Sequence, residues 1–178
     1  MLSFKSRAAI QILRTLNFSP IITYASSKHT EFLKSLGATH VIDRSAVPSA
    51  DVPAAVRKLA GGAPFKIAYD AISEADTQEA CFELISTGGT VVAIQQTVED
   101  RDVDGKKLIH IVGSTHMHRE FGVLMWKLLA KQVEGGVIQP NRIEKLPGGL
   151  AGIVDGLTRM ENNAVSGAKL VAFPQETV

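Results

Sequence analysis

Short apolar, β-branched runs punctuate this chain at near-regular intervals, and they constrain its fold more than any other feature. They are "PIITYA" (20–25), "THVID" (39–43), "FKIAYDAI" (65–72), "TVVAIQ" (90–95), "KLIHIVGS" (107–114) and "AKLVAF" (168–173). Runs without polar alternation suit strands covered on both faces, as in parallel sheets. The segments between them have helical spacing. From Arg7 onward, Ala8, Ile10, Leu13 and Leu16 recur at helical spacing, with Ser6 as N-cap and Asn17 as the stop. In "SSKHTEFLKSLGA" (26–38), Ser26 or Ser27 caps, Phe32, Leu33 and Leu36 face inward, and Gly37 suits a left-handed C′ position. "DVPAAVRKLAGG" (51–62) places Pro53 in a first turn and Gly61-Gly62 after the end.

Further along, Ser73 with Asp76 forms a capping-box pattern opening a helix over 74–86, and "TGG" (87–89) turns the chain into the next strand. A polar stretch leads to the strand over 107–114. A long helix with Phe121, Leu124, Met125, Trp126, Leu128 and Leu129 runs to about Glu134, "GVIQPNRIEKLP" reads as a loop or edge segment, and residues 149–162 form the last helix. Strands alternating with helices of this length imply βαβ units and a parallel sheet. Right-handed crossovers then give an α/β, Rossmann-like, doubly wound, mostly parallel sheet in a single domain, 1–178.

The totals narrow the function. A net charge of +1 gives no electrostatic reason to expect nucleic acid or an anionic membrane surface. No apolar run approaches the roughly 20 residues that span a bilayer. Lys5, Arg7 and Arg14 on a short amphipathic segment imitate a mitochondrial presequence, but a core-facing helix accounts for them better. Cys81 is the only cysteine, which argues against an internal disulfide and a thiolate zinc site and fits a reducing, cytoplasmic setting.

No G-x-G-x-x-G and no P-loop occurs anywhere. The backbone amides of the first helical turn, at Ser6, are still placed to meet a phosphate, although Ser6 as a simple helix cap explains the same residue. After the strand at 20–25, where a ribose-binding acid is expected for NAD, the chain reads Ser26-Ser27-Lys28. Hydroxyls and a lysine suit a 2′-phosphate, so a cofactor there is NADPH rather than NADH. A capped helix with a solvated lysine explains the same pattern. His110, His116 and His118 cluster in sequence, but no carboxylate lies at ligand spacing, and a polar strand-to-helix connection accounts for them. Asp43, Asp70, Glu74 and Asp76 fall at strand ends or caps, Cys81 falls on an apolar helix face, and no nucleophile arrangement is visible. No catalytic residue and no metal ligand is assigned.

The order of "AAIQILRTLNFSPIITYASSKHTEFLKSLGATHVIDR", "KIAYDAIS", "ISTGGTVVAI" and "GGVIQPNRIEKLPGGLAGIVDGLTRMENNAVSGAKLVAFPQET" resembles the cofactor-binding half of medium-chain dehydrogenases/reductases. It is most similar to the zinc-independent quinone-oxidoreductase and trans-enoyl-reductase branch, including fungal zinc-binding dehydrogenase-like members. "SLGATHVID" and "VSGAKLV" carry the most specific likeness. The resemblance implies strand order 3-2-1-4-5-6, bound NADPH, and hydride transfer to an activated C=C or a quinone. By position it assigns Ser26, Ser27 and Lys28 to the 2′-phosphate, Ile72 and Ser73 to the ribose and nicotinamide side, Ala93 and Ile94 to the nicotinamide, and Lys169 to the segment returning to the cofactor.

It also implies departures. The family's GroES-like N-terminal domain, its first Rossmann strand and its glycine-rich turn have no counterpart here, as in an N-terminally truncated chain. The sheet is then expected to lack its central strand, with activity weak or absent in isolation. Strands 20–25 and 65–71 lose a shared neighbour, which predicts lowered stability or self-association through exposed edges, "KLIHIVGS" being one candidate edge. A non-enzymatic module binding a nucleotide or a homologous chain is the alternative. A Rossmann-like methyltransferase is disfavoured, because it too needs a glycine-rich first turn.

Overall fold

A computed structural model describes residues 4–94 and 100–177, with the side chains of residues 4 and 5 excepted. Helix α1 (Phe4–Thr15) begins before Ser6, so Ser6 sits in its first turn and is not the N-cap expected from sequence. Its stop is as expected: Asn17 takes φ 59°, and Phe18 N–H reaches back to Leu13 O at 3.0 Å. Strand β1 (Ile22–Ala25) pairs in parallel with β2 (His40–Asp43), Ile22 opposite His40 and Ala25 opposite Asp43. Between them lie a 3-10 turn (Ser27–His29) and α2 (Thr30–Leu36), closed at Gly37 with φ 122°. Ile10, Ile21, Ala25, Leu33, Leu36 and Ala38 form a buried cluster joining α1 and α2 to β1.

After α3 (Val52–Leu59), β3 (Phe65–Asp70) pairs in parallel with β4 (Ile85–Ala93), which pairs in parallel with β6 (Lys106–His110). Helix α4 (Ala75–Leu84) connects β3 to β4 and covers a second cluster of Ala68, Ile85, Val91, Ala93 and Leu108. The helix opens one residue later than the Ser73–Asp76 pattern suggested. Glu74 is the N-cap, its N–H donating to Thr77 Oγ1 at 3.1 Å. Strand β4 begins at Ile85 and contains the "TGG" segment, while Gln95, expected at its end, lies outside the described residues.

"KLIHIVGS" is not the sheet edge expected from sequence. Strand β5 (Arg101–Val103) runs antiparallel to β6 and covers it, through a tight turn at Asp104 and Gly105, both at positive φ. The β6 strand also ends at His110, short of Ser114. Helix α5 (Arg119–Glu134) follows, with Phe121, Leu124, Trp126 and Leu128 exposed. Strand β7 (Ile143–Lys145), inside the expected loop or edge segment, pairs in parallel with β8 (Lys169–Val171). The last helix divides into a 3-10 turn (Gly149–Gly152) and α6 (Ile153–Glu161).

The described strands thus form three sheets: β1-β2, β3-β4-β6-β5 and β7-β8. The α/β class and mostly parallel pairing are as expected, and no described strand lies between β1 and β3. The carboxyl ends of β1 and β2 point the same way, and side-chain bonds tie them to each other and to the helix after β3. Tyr24, near the end of β1, donates its hydroxyl to Val47 O just after β2, at 2.7 Å. Ser49, also after β2, donates to Asp76 Oδ2, in the helix after β3, at 2.7 Å. In a doubly wound sheet that end is where ligands bind.

Candidate functional site

Basic side chains gather at the carboxyl end of β1. Ser26 is extended there and opens the 3-10 turn, making no side-chain capping bond, and Ser27 and Lys28 are exposed. Ser27 N–H donates to Asp43 Oδ1 at 3.3 Å and Ser45 N–H to the same oxygen at 3.0 Å, which holds the Asp43 carboxyl below the usual range. The acid that sequence did not find next to Ser26-Ser27-Lys28 therefore arrives from β2, but its oxygen is already engaged by local amides. The register that sets Ala25 opposite Asp43 was the missing signal.

His29, next in the turn, contacts Ser166 Oγ through Nε2 at 3.0 Å. Burial lowers the basicity of its ring, and the positive charges of Lys28, Arg7, Arg142 and Arg44 lower it further. Arg7 reaches in from α1. It is only 4% exposed, and its Nη1 donates to Gly167 O at 3.0 Å. Its Nε is buried without a hydrogen-bond partner, and Arg7 makes no ion pair among the described residues. Burial, then the charge of Arg142, lowers its pKa. Arg142 lies with Cζ 3.7 Å from the centre of the Phe32 ring.

A buried guanidinium with no carboxylate is expensive to maintain. Lys28, His29, Arg44, Arg142 and Arg7 form a cationic arc around the end of β1. Sequence reading found only Lys28 of these, because Arg7 and Arg142 arrive through tertiary contacts with no local pattern.

The other predicted residues lie at the carboxyl ends of β3 and β4 and in the C-terminal segment. Asp70 ends β3, its Oδ1 accepting from Ile72 N–H at 2.9 Å and Ser73 N–H at 2.8 Å, and its Oδ2 from Thr77 Oγ1 at 2.7 Å. Ser73 is fully buried at φ 63°. Its hydroxyl donates to Asp70 O at 3.0 Å and accepts from Ile94 N–H at 3.0 Å, and its carbonyl accepts from Gln78 Nε2. Ile72, Ser73, Ala93 and Ile94 are thus brought together, with Ser73 clamping β3 to β4. Ser6 is half-buried at the start of α1, beside Arg7. Lys169 is exposed in β8, its N–H donating to Arg142 O at 2.8 Å, so its strand borders the arc. Tethering extends to Gln11, buried in α1, whose Oε1 accepts from Gln139 N–H at 2.7 Å.

Among the described residues no group of three or more His, Cys, Asp or Glu side chains can hold a metal ion. His116 and His118 are exposed, and His110 N–H donates to Asp100 Oδ1 at 2.8 Å. No helix among the described residues is long and apolar enough to cross a membrane.

The family described as zinc-binding dehydrogenase matches residues 7–131. Among curated relatives, the trans-enoyl reductase fsa3 of Fusarium sp. (strain FN080326) is 26% identical over 92% of this chain and 51% of its own length. The trans-enoyl reductase thnE of Trichoderma harzianum is 27% identical over 92% of this chain and 49% of its own. The chain spans about half the length of the curated relatives it matches. The CurF ER cyclopropanase from the curacin A biosynthetic pathway superposes with a TM-score of 0.72 at 16% identity, over 93% of this chain and 51% of that one. The Pseudomonas syringae pv. Tomato DC3000 quinone oxidoreductase gives 0.72 at 19% identity, over 93% and 52%. These structures share the fold.

Proposed function

The chain belongs to the zinc-binding dehydrogenase family, and from that premise we propose that residues 1–178 form one nucleotide-binding domain of a cytoplasmic, NADPH-dependent reductase-like protein. The observation that carries the reading is the cationic arc. Arg7 is a buried guanidinium without a carboxylate, and Lys28, His29, Arg44 and Arg142 surround the same strand end. A 2′-phosphate supplies the missing negative charge, and charge-assisted hydrogen bonds to phosphate are the strong kind. Ser26 and Ser27 add hydroxyls, and Asp43 is held by two local amides through Oδ1.

When bound, NADPH supplies a hydride, and the trans-enoyl reductase and quinone oxidoreductase names among the relatives suggest an activated C=C or a quinone as acceptor. The chain's own residues hold and orient. The arc fixes the adenosine end, and the Asp70–Ser73–Ile94 clamp sets the backbone at the ends of β3 and β4, where Ile72, Ala93 and Ile94 face the nicotinamide side. The reading places weak or absent activity in these residues alone, because it gives them cofactor binding and orientation and no proton transfer. Zinc does not fit, since the described residues offer no group of three or more His, Cys, Asp or Glu side chains to hold it. Self-association through the outer edges of β2 and β5 belongs to the same proposal.

The test is calorimetric titration with NADPH, NADH and 2′,5′-ADP. Saturable NADPH and 2′,5′-ADP binding, with NADH weaker by about tenfold or more, supports the reading, since tenfold is about 1.4 kcal/mol. Equal affinity for NADPH and NADH, or binding of neither, removes it.

A further inference from the structure

We propose that binding of a dianionic phosphate at the carboxyl end of β1 is coupled to protonation of His29, so that this strand end takes its ligand more tightly as the pH falls. The inference rests on the nucleotide reading and adds a regulation of the same site.

One loop fixes the imidazole. His29 closes the 3-10 turn Ser27–His29 and precedes α2, and its Nε2 lies 3.0 Å from Ser166 Oγ. The ring also lies against Gly167, where a Cβ would stand 2.9 Å from His29 Cε1 and φ is 71°. Arg7 Nη1 donates to the carbonyl of that same glycine at 3.0 Å. The loop between α6 and β8 therefore holds both the imidazole and the buried guanidinium in place. Nδ1 of His29 makes no hydrogen bond among the described residues. Ser26, Ser27 and Lys28 directly precede the ring, so a phosphate held by them stands in its field.

The groups that act on the ring are of one sign. Lys28 comes from its own turn, Arg7 from α1, Arg44 from the residue after β2 and Arg142 from the residue before β7. The carboxylates of these elements are engaged. Asp43 Oδ1 accepts from the Ser27 and Ser45 amides, and Glu31 of α2 lies 3.8 Å from Lys34 Nζ. Protonating His29 in the free chain adds a fifth positive charge to four and desolvates it in part. Both effects hold its pKa below 6.5, and the ring is neutral at about pH 7.

A phosphate dianion reverses that balance. Negative charge set among the same five groups favours the imidazolium and raises its pKa in the complex. The coupling is reciprocal, so a ligand that favours the protonated ring is itself favoured by protons. Binding takes up a fraction of a proton, and affinity rises by at most about tenfold per pH unit. The phosphate's own titration has the opposite sign. Its second pKa is about 6, and a cationic site selects the dianion, which releases protons on binding. Lysine and arginine side chains already carry their protons at about pH 7, so among the five groups only the imidazole can take one up.

The probe is 2′,5′-ADP, with AMP as the control lacking the 2′-phosphate. Each is titrated calorimetrically into the full chain, in buffers of different ionisation enthalpy. With 2′,5′-ADP at about pH 7 the parent takes up several tenths of a proton, and its affinity rises several-fold between about pH 8 and 6.5. In His29→Gln the uptake is gone and the rise is flattened. In the parent, the Cε1 proton resonance of His29 titrates at a higher pH with 2′,5′-ADP than without it. That readout needs no variant, and it decides the matter if His29→Gln does not fold. Three results overturn the coupling and leave the nucleotide reading standing: a 2′-phosphate preference without proton uptake, an uptake that persists in His29→Gln, or a ring resonance unmoved by ligand. Equal affinity for 2′,5′-ADP and AMP, or binding of neither, removes the reading and the coupling with it.

Discussion

Arg7 donates from Nη1 to the carbonyl oxygen of Gly167 at 3.0 Å, tying the start of α1 to the approach to β8 across 160 positions. The contact holds a guanidinium that is almost fully buried and has no carboxylate partner among the described residues.

Replacing that charge separates binding from stability. In Arg7→Met the loss of a bond to Gly167 O is offset by release of a desolvated, unpaired charge, so stability stays within about 1 kcal/mol of the parent. NADPH affinity falls by about tenfold or more, equivalent to about 1.4 kcal/mol. Calorimetry and thermal denaturation on the same preparations check this. A parallel fall in both marks Arg7 as a packing residue.

Lys28 and Arg44 are exposed, so each acts through a screened field. Lys28→Ala lowers NADPH affinity only several-fold, on the order of 1 kcal/mol. Lys28→Glu combined with Arg44→Glu removes the preference over NADH. The parent's preference shrinks as salt rises and the double variant's does not, which titrations at low and high ionic strength resolve.

These variants rest on residues of very different legibility. The strand–helix alternation was readable because β1, β2 and β3 are apolar runs bounded by local stops such as Asn17 and Gly37, both at positive φ. Lys28 was readable because it follows its strand directly. Arg7 was read only as one charge of a basic, amphipathic helix, since what makes it unusual is a neighbour 160 positions away and the absence of an acid. The β5–β6 hairpin was missed although Asp104-Gly105 marks its turn, because charged "RDV" has none of the apolar character that identified the other strands. Ser6 is the converse case: a good capping residue that α1 overruns by starting at Phe4.

His29 should leave a signature in acid. Burial and four surrounding cations lower its pKa from 6.5 in the folded chain. The unfolded chain then takes up a proton first as pH falls, so the folded state loses stability through about 6.5 and below. The slope cannot exceed the one-proton limit of about 1.4 kcal/mol per pH unit, and partial exposure keeps it well under that. His29→Gln flattens this part of the profile between about pH 7 and 5.5. An unchanged slope in urea titrations across that range would falsify the assignment.

The clamp at the ends of β3 and β4 is a stability element first. Ser73→Ala removes the acceptor of Ile94 N–H and the donor to Asp70 O at a fully buried position. The expected loss is about 1–3 kcal/mol, from orphaned buried groups. Ser73→Gly loses the same bonds but tolerates φ 63° without a Cβ, so it is the less damaging substitution. The reverse order in denaturant midpoints at equal slope would mean that backbone strain at this position is negligible.

Cys81 reports on how tightly α4 seals against β3. Burial, reinforced by the charge of Asp70, pushes its thiol up to about 12. At pH 8 the thiolate is then about one part in ten thousand, against roughly a tenth to a quarter for an ordinary cysteine. Because the thiolate is the reactive form, alkylation by iodoacetamide runs slower than for an exposed cysteine by about three orders of magnitude. The rate climbs about tenfold per pH unit up to at least pH 9, with no plateau, as a pKa of about 12 requires. Denaturant abolishes the protection in one step. A plateau near pH 9 in the folded protein shows instead that water reaches Cys81 freely, and that α4 does not close over β3.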